Sequence, residues 1–223
     1  MGARQAVQRG IVEPGIAQPG RDCALCPRLA AFRAASRAAH PDWFNAPVPS
    51  LGPVSARLLV VGLAPGLRGA NRTGRPFHGD AAGVTLYEAL LKAGLAHGHY
   101  TALPDAALRL EVRIANAVRC VPPQNKPLPA EIRACNGFLR AELDGLARLR
   151  AILALGRIAH EAVLRALGLR LAGTPFRHGA LHELPDGRVL ADSYHVSRYN
   201  MNTGVLTEAM FASVLAALRP RLL

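Results

Sequence analysis

The four cysteines are the residues whose type and spacing most directly suggest chemistry. Cys23 and Cys26 form a C-x-x-C pair, and Cys120 and Cys135 follow with 14 residues between them. Four thiolates can bind Zn²⁺ or an iron–sulfur cluster. A redox C-x-x-C pair normally begins a helix after a strand, and structural disulfides are uncommon in a chain without a secretory signal. The spacing is not that of a zinc ribbon, so either metal group is possible, and simple burial of Cys120 and Cys135 is the alternative.

A glycine-rich segment, GLAPGLRGANRTGRPFHGD, occupies residues 62–80, directly after the apolar run ARLLVV. It contains five glycines, two prolines and three arginines. Glycine lets the backbone pass close to a ligand and expose N–H groups to it. A phosphate-binding P-loop is excluded because no Gly-Lys-Ser/Thr follows, and GLAPGL lacks the glycine spacing of a dinucleotide-binding motif. The segment therefore predicts the wall of a binding site, with a long surface loop as the alternative.

Length and charge limit the class of protein. The 223 residues suit one domain, which we place at residues 21–223 behind a mobile arm of residues 1–20. Lys and Arg number 27 against 15 Asp and Glu, and the net charge of +12 favours a polyanionic partner such as nucleic acid, or otherwise a merely basic surface. No apolar run approaches the ~18 residues of a membrane span. The N-terminus lacks the apolar stretch of a secretory signal, which predicts a cytoplasmic protein with no membrane contact.

Short apolar runs alternating with helical patterns predict the elements that hold these motifs. Strands are expected in ARLLVVG, EVRIANAV, AILALG and RVLADSYHVS. Helices are expected over residues 27–40, 82–95, 129–150, 157–167 and 204–218. Repeated strand–helix units predict an α/β fold, a three-layer sandwich whose central, mainly parallel four-stranded sheet is flanked by helices. Ligands of such sheets bind at the carboxyl ends of the strands, where three polar loops should converge: residues 62–80, 119–127 and 195–204.

Three motifs carry a resemblance to a known family. The segments GLAPGLRGANRTGRPFHGD, NAVRCVPPQNKP and HVSRYNMNTG, with the four cysteines, resemble the family 5 (type B) uracil-DNA glycosylases, and they occur in that family's order. The resemblance implies hydrolysis of the N-glycosidic bond of uracil, and of other deaminated bases such as hypoxanthine, in duplex and single-stranded DNA. The product is an abasic site, which starts base excision repair. It also implies a monomer without a dissociable cofactor, whose N-terminal segment is stapled by a structural [4Fe–4S] cluster on Cys23, Cys26, Cys120 and Cys135.

The residues of the motifs can be matched to the needs of such a reaction. An enzyme acting on a base within a duplex must flip the nucleotide into a pocket. Phe77, between Pro76 and His78, could stack on the flipped base, because this setting looks unsuited to core packing; a core phenylalanine is the alternative. Asn116 can donate and accept along the edge of uracil, or else satisfy local backbone at the strand end. Gly62 and Ala64 are expected to line the same base-binding pocket.

Charge development in the reaction calls for two further groups. The departing base becomes negative, and His195 could donate an N–H to its carbonyl oxygen; a structural histidine is the alternative. None of the seven other histidines has comparable sequence surroundings. The sugar becomes positive, and Asp80 is the nearest carboxylate that could stabilise it or position water, although it could equally cap the following helix. Backbone-held water could replace it.

The last motif also suggests DNA contacts. Polar loops of this kind hold phosphates through side chains and helix N-terminal amides, and one residue can wedge into the duplex. The expected DNA-binding residues are Ser197, Arg198, Tyr199, Asn200, Asn202, Arg72 and Arg75.

Three positions bear on the family assignment. Leu63 replaces the acidic residue of the family 4 enzymes, as in type B. Val196 and Gly66 replace a usual proline and alanine, which affects loop rigidity and the pocket wall.

Two other classes of function fit parts of the sequence. A non-catalytic, metal-stapled DNA-binding module would show salt-sensitive DNA binding without base release. An enzyme of the same fold acting on a free nucleoside would not need the basic surface. Phe77, Asn116 and His195 argue against the first class, and the net charge and the final loop argue against the second.

Overall fold

The computed structural model describes residues 15–101 and 107–223. Residues 1–14 of the predicted arm lie outside the described residues. The described start of the chain contacts the protein body, because the Nε2 of Gln18 donates to a carboxylate oxygen of Glu142 over 2.8 Å. Within the described ranges no helix is both long and apolar enough to cross a membrane.

A five-stranded sheet forms the centre of the molecule, in the order β4-β1-β5-β7-β6. Four of its strands are parallel neighbours, and β6 runs antiparallel to β7 at one edge. A separate two-stranded antiparallel sheet pairs β2 with β3. The strands are β1 (Leu58–Gly62), β2 (Ala96–His97), β3 (Arg109–Leu110), β4 (Arg113–Asn116), β5 (Ala151–Leu155), β6 (Leu181–Glu183) and β7 (Val189–Ser193).

Helices cover both faces of the large sheet. They are α1 (Pro27–Ala39), α2 (Ala70–Thr73), α3 (Ala81–Lys92), α4 (Pro129–Gly145), α5 (Arg157–Ala166), α6 (Arg198–Asn202) and α7 (Glu208–Leu218). Short 3₁₀ turns lie at Pro123–Asn125, Leu171–Gly173 and Arg219–Leu222. The core on one face includes residues of α1, α4 and α5, and the core on the other includes residues of α3 and α7. The architecture is therefore the predicted three-layer α/β sandwich.

Alternation along the buried strands explains the two cores. In β1, Leu58 and Val60 belong to the α3/α7 core, whereas Leu59 and Val61 belong to the α1/α4/α5 core. All four side chains are fully buried. A parallel strand covered by helices on both faces needs apolar residues at every position, which is why the sequence shows a continuous apolar run there.

The sequence prediction of four strands is corrected to five. The missed strand β6 has the sequence LHE, and its side chains are only half-buried or exposed, so no apolar run marks it. Two helices are also shorter than expected. The helix predicted over 129–150 ends at Gly145, and the one predicted over 204–218 begins at Glu208, because the hydroxyl of Thr207 caps it by accepting from the N–H of Met210.

Candidate active site

Two strand ends and one loop residue meet at the carboxyl edge of the sheet. Gly62 at the end of β1 pairs in register with Asn116 at the end of β4. A Cβ placed on Gly62 would lie 2.5 Å from Asn116 Oδ1 and 2.6 Å from Phe77 Cζ. Both side chains therefore pack against the bare Cα of Gly62, and this close approach requires glycine. Asn116 is 3% exposed, and among the described residues its side-chain amide has no hydrogen-bond partner.

Phe77 is held in a strained backbone conformation by the aromatic residues below it. Its φ of 57° lies in the left-handed region that non-glycine residues rarely adopt. The hydroxyl of Tyr100 donates to the Phe77 carbonyl oxygen over 3.3 Å, and that of Tyr87 donates to the Pro76 carbonyl oxygen over 2.8 Å. The Phe77 ring is 7% exposed and packs with the α3/α7 core, so the expectation that its setting is unsuited to core packing is wrong. It is a core residue and also a wall of this site.

His195 lies beside Phe77. The two ring centroids are 6.1 Å apart with an interplanar angle of 28°. Burial lowers the pKa of His195 to about 4, so the imidazole is neutral at pH 7. Asn200 Nδ2 donates to the His195 carbonyl oxygen over 2.8 Å and fixes the backbone at this position. The site thus brings together an aromatic ring, an unpaired amide and a neutral imidazole.

Asp80 is the N-cap of α3. Its Oδ1 accepts from the N–H of Gly83 over 3.0 Å, which is the capping role considered from the sequence. Its other oxygen lies against the glycine-rich loop, 2.3 Å from where a Cβ of Gly69 would stand. Burial raises the pKa of Asp80, and hydrogen bonds from the N–H groups of Gly83 and Ala82 oppose this rise. One oxygen is therefore used in capping, and the other faces the loop.

The arrangement around Gly62 predicts a large response to a single methyl group. In Gly62→Ala the new Cβ would overlap the Asn116 amide and the Phe77 ring, so both must shift. We expect kcat to fall by about tenfold or more, since a displacement near 1 Å costs up to about 10²-fold. The free energy of unfolding should fall by about 1–3 kcal/mol.

Gly137→Ala is the matched control for this substitution. Gly137 lies in α4, and nothing stands within 4 Å of a Cβ there, so this variant should be as active as the parent and slightly more stable. Steady-state kinetics and thermal unfolding of both variants check the prediction. A fully active Gly62→Ala would contradict the close packing.

The residues expected to bind DNA divide into two groups. Arg72, Arg198, Tyr199 and Asn202 are exposed, and Tyr199 is 73% exposed. The side chains of Ser197 and Asn200 make contacts within the protein: the Ser197 hydroxyl caps α6, and Asn200 holds His195. Arg75 and Ala64 are half-buried.

The four cysteines, all free, line one small cavity beside α1 and α4. The guanidinium of Arg33 donates to the Sγ of Cys120 over 3.2 Å, and the backbone N–H of Arg119 donates to the Sγ of Cys135 over 3.3 Å. Burial raises the pKa of the Cys135 thiol to about 11. Four sulfur donors in one cavity, with N–H groups directed at two of them, suit a group that binds thiolates.

A buried charged cluster that no sequence motif predicts lies at β7. His160, His182 and Asp192 bring their ligand atoms within 4.8 Å of one another, the one such group among the described residues. The Nδ1 of His160 lies 2.6 Å from Asp192 Oδ1, and the Nε2 of His182 lies 2.9 Å from Asp192 Oδ2. These are hydrogen-bond lengths, so a proton rather than a metal ion lies in each contact.

His160 in this cluster places both ring nitrogens against acceptor oxygens. Its Nδ1 faces the Asp192 carboxylate, and its Nε2 faces the Thr174 carbonyl oxygen at 2.8 Å, so both nitrogens donate. Burial by itself would lower the pKa of His160, but the hydrogen bond and charge of Asp192 outweigh it, and the pKa is raised. The partners come from different elements 32 residues apart, which is why no local motif marks them.

Comparisons with known proteins show the family to which this chain is similar. The uracil DNA glycosylase superfamily matches residues 49–219. The chain is 52% identical to a type-5 uracil-DNA glycosylase of Thermus thermophilus over 200 residues, 86% of this chain and 90% of the relative. It is 42% identical to a type-5 enzyme of Pyrobaculum aerophilum, over 87% of this chain and 86% of that relative. A type-4 uracil-DNA glycosylase of Archaeoglobus fulgidus is 33% identical over 61% of this chain and 62% of the relative.

Proposed function

The chain belongs to the uracil DNA glycosylase superfamily, and on this premise we propose that it hydrolyses the N-glycosidic bond of uracil in DNA. The reaction leaves an abasic site and starts base excision repair. The observation that carries the proposal is that Phe77 and Asn116 pack against the bare Cα of Gly62, with His195 beside the Phe77 ring. The more extensive similarity to type-5 than to type-4 relatives favours the type-5 class.

The three side chains divide the work on the flipped base. Phe77 offers a ring face for stacking. The Asn116 amide makes no hydrogen bond within the described residues, so it can donate and accept along the uracil edge. A uracil-shaped ligand would therefore gain hydrogen bonds that a ligand lacking this edge could not make.

His195 acts on the leaving group. As the bond between the sugar and the base breaks, its electron pair moves onto the base, and negative charge collects on the carbonyl oxygens. A neutral imidazole N–H can donate to such an oxygen without having to lose a proton. Water adds to the sugar carbon, and the proton that this water loses neutralises the departing base anion, so that free base and an abasic site result. The low pKa of His195 keeps it neutral for this task at physiological pH.

Asp80 is proposed to stabilise the positive sugar or to position the water, through the oxygen that does not cap α3. Asp80→Asn tests this role because asparagine caps helices about as well as aspartate. We expect the unfolding midpoint to change little and kcat to fall by about 10²-fold, within the range of acid–base groups. Asp80→Ala should add a loss of about 1 kcal/mol in stability. An Asp80→Asn variant with parental kcat would show that capping is the only role, and that backbone-held water serves instead.

The substrate range and the environment of the protein are also proposals. Leu63 stands where the family 4 enzymes have an acidic residue, so catalysis would depend on the leaving group and on electrostatics, and hypoxanthine is a proposed second substrate. The net charge of +12 and the exposed Arg72, Arg198 and Tyr199 support binding to duplex and single-stranded DNA. A monomeric state and a cytoplasmic location stay predictions.

A structural [4Fe–4S] cluster on the four cysteines is the proposed resident group. Zinc binds four thiolates tetrahedrally at about 2.3 Å, which places the sulfurs about 3.8 Å apart. Among the described residues the cysteine sulfurs do not form a group within 4.8 Å of one another, unlike the histidine–aspartate cluster. The four sulfurs that line one cavity, two of them accepting hydrogen bonds, suit a thiolate-bound group, and the resemblance to the type B enzymes is what favours the iron–sulfur cluster over zinc. When bound, such a cluster would tie α1 to the segment after β4, and no step of the reaction is assigned to it.

Base release is the direct test of the proposed function. A labelled duplex with one uracil is incubated with the protein, and abasic sites are then cleaved by alkali. We expect cleavage at the uracil and none in a matched duplex with cytosine. No cleavage, together with salt-sensitive DNA binding, would instead favour the non-catalytic module, which the intact site residues argue against.

A further inference from the structure

The exposed Tyr194, directly before His195, forms an aromatic pair with the half-buried His178. The rings of Tyr194 and His178 are stacked, with centroids 4.8 Å apart and an interplanar angle of 11°. Phe176 extends the group, its centroid 6.2 Å from that of Tyr194. Tyr194 is 37% exposed, although it follows directly on the fully buried end of β7. Large aromatic rings at the surface beside a binding site call for an explanation, because burying them would be favourable.

Several hydrogen bonds hold this pair in place. The backbone N–H of Tyr194 donates to the Nδ1 of His178 over 3.1 Å. The N–H of Gly179 donates to the Asp192 carbonyl oxygen over 2.8 Å, and the N–H of Arg177 donates to Asp192 Oδ2 over 3.1 Å. The loop that carries His178 is thus fixed onto the strand end that carries Tyr194. A preorganised surface of this kind binds without the cost of ordering itself.

The buried charged cluster lies beneath this loop. Asp192 is fully buried and faces His160, His182 and the Arg177 amide, so the loop amide helps to satisfy a buried carboxylate. The His160 ring packs edge-on against Phe176, with centroids 5.7 Å apart. The aromatic group therefore stands on a hydrogen-bonded base, and Tyr194 within it keeps 37% of its surface exposed.

We propose that the Tyr194–His178 pair is a stacking platform for a nucleobase of the DNA strand next to the excised nucleotide. Flipping a nucleotide out of the duplex removes a stacking partner from its neighbours, and an aromatic ring can replace that partner. Arg177 directly precedes His178, and Arg198 follows Tyr194 by four residues. Both are exposed, and their charge suits the phosphates of the DNA strand that the platform would bind. The inference rests on the proposed function, which supplies the flipped nucleotide.

The platform predicts a loss of affinity that depends on the aromatic face. Tyr194→Ala should raise KM for a uracil-containing oligonucleotide by about tenfold, in line with the loss of one stacked base, and kcat should change less than twofold. Tyr194→Phe keeps the ring and should resemble the parent. Tyr194→Leu keeps the bulk without a π-face and should show the same rise in KM. It therefore tests the proposal even if Tyr194→Ala does not fold.

A binding measurement separates this platform from the activity itself. The probe is an oligonucleotide that carries a tetrahydrofuran abasic-site analogue, with 2-aminopurine as the neighbouring base. Stacking on the platform should quench 2-aminopurine fluorescence in the parent and in Tyr194→Phe, and the quenching should be lost in Tyr194→Leu and Tyr194→Ala. Equal quenching and equal affinity in all four proteins would overturn the proposal. Because the probe is not cleaved, this result stands whether or not the parent releases uracil.

Discussion

His195→Ala is expected to lower kcat for uracil release by about 10²–10³-fold, the loss typical of removing one donor to a developing oxyanion. DNA affinity should stay close to that of the parent, because the donor acts on charge that appears only as the glycosidic bond breaks. The measurement is single-turnover cleavage of a uracil duplex, with binding to an abasic-analogue duplex measured in parallel.

Two variants control this experiment. His97→Ala removes an exposed imidazole from β2, outside the site, and should leave both quantities unchanged. His195→Gln keeps an N–H donor and should retain more activity than His195→Ala if donation is the role of the side chain. An unchanged kcat in His195→Ala would reduce His195 to a structural histidine, and Asn116 would then be the remaining donor at the base.

The pH dependence of this group follows from its burial. With a pKa of about 4, His195 stays neutral from pH 8 down to about pH 5, so it should not limit kcat in that range. The unfolded imidazole takes up a proton near its ordinary pKa of about 6.5. The folded pKa is depressed, so the contribution of His195 to stability is present above about pH 6.5 and is lost progressively as the pH falls towards 4. A kcat profile that fell with a midpoint near 6.5 would contradict a buried, neutral His195.

The parts of the fold that could be predicted from sequence are those with a local signature. The run around Leu58–Gly62 is continuously apolar because helices cover both faces of β1, and the strand–helix alternation follows from the parallel sheet. Strand β6 was not predicted, because an edge strand of three residues buries little apolar surface and so shows no apolar run. The site residues Gly62, Phe77 and Asn116 were recognised through motifs, but their mutual packing is a tertiary property.

The buried cluster beside β7 shows the limit of sequence reasoning. From the sequence alone, Asp192 is predicted to be an ordinary residue at a strand end, and His160 is predicted to be one polar position of a helix. Only the fold places the two 2.6 Å apart and out of contact with water. Their charge pairing is an outcome of sheet order and helix placement, and the same holds for the stacking of Tyr194 on His178.

Loss of the metal group is expected to have the largest effect on stability. Cys23→Ser changes a partly exposed thiol, so the loss of apolar packing is small. If the thiol binds a cluster, the free energy of unfolding should fall by about 3 kcal/mol or more. This loss is smaller than the free energy of metal binding in zinc-finger peptides, which is ~10–16 kcal/mol, because three of the four ligands remain. The unfolding midpoint should then drop by about 6–12 °C. Ala24→Ser, at an exposed position of the same segment that does not line the cysteine cavity, should leave it unchanged.

The cause of that loss in stability can be isolated by a double cycle, in which the parent and Cys23→Ser are each measured with the metal group bound and with it removed. Iron and sulfide contents near four each would support [4Fe–4S], and stoichiometric zinc would overturn it. Once the group is stripped, the parent and Cys23→Ser should unfold at nearly the same temperature, because the serine then replaces a thiol that binds nothing. A difference that persisted in the stripped proteins would show that the thiol acts through packing alone.

The same cycle connects the cluster to the active site. Cys26 is the N-cap residue of α1, and Cys120 follows Asn116 by four residues, so the group would join this helix to the segment that leaves the base pocket. Arg119 strengthens the connection, since its backbone N–H contacts the Sγ of Cys135 and its guanidinium pairs with the buried Glu142. Stripped protein held well below its unfolding midpoint should therefore bind abasic-analogue DNA but release uracil more slowly, as Asn116 loses its fixed position. Parental kcat in stripped, folded protein would confine the cluster to a purely stabilising role.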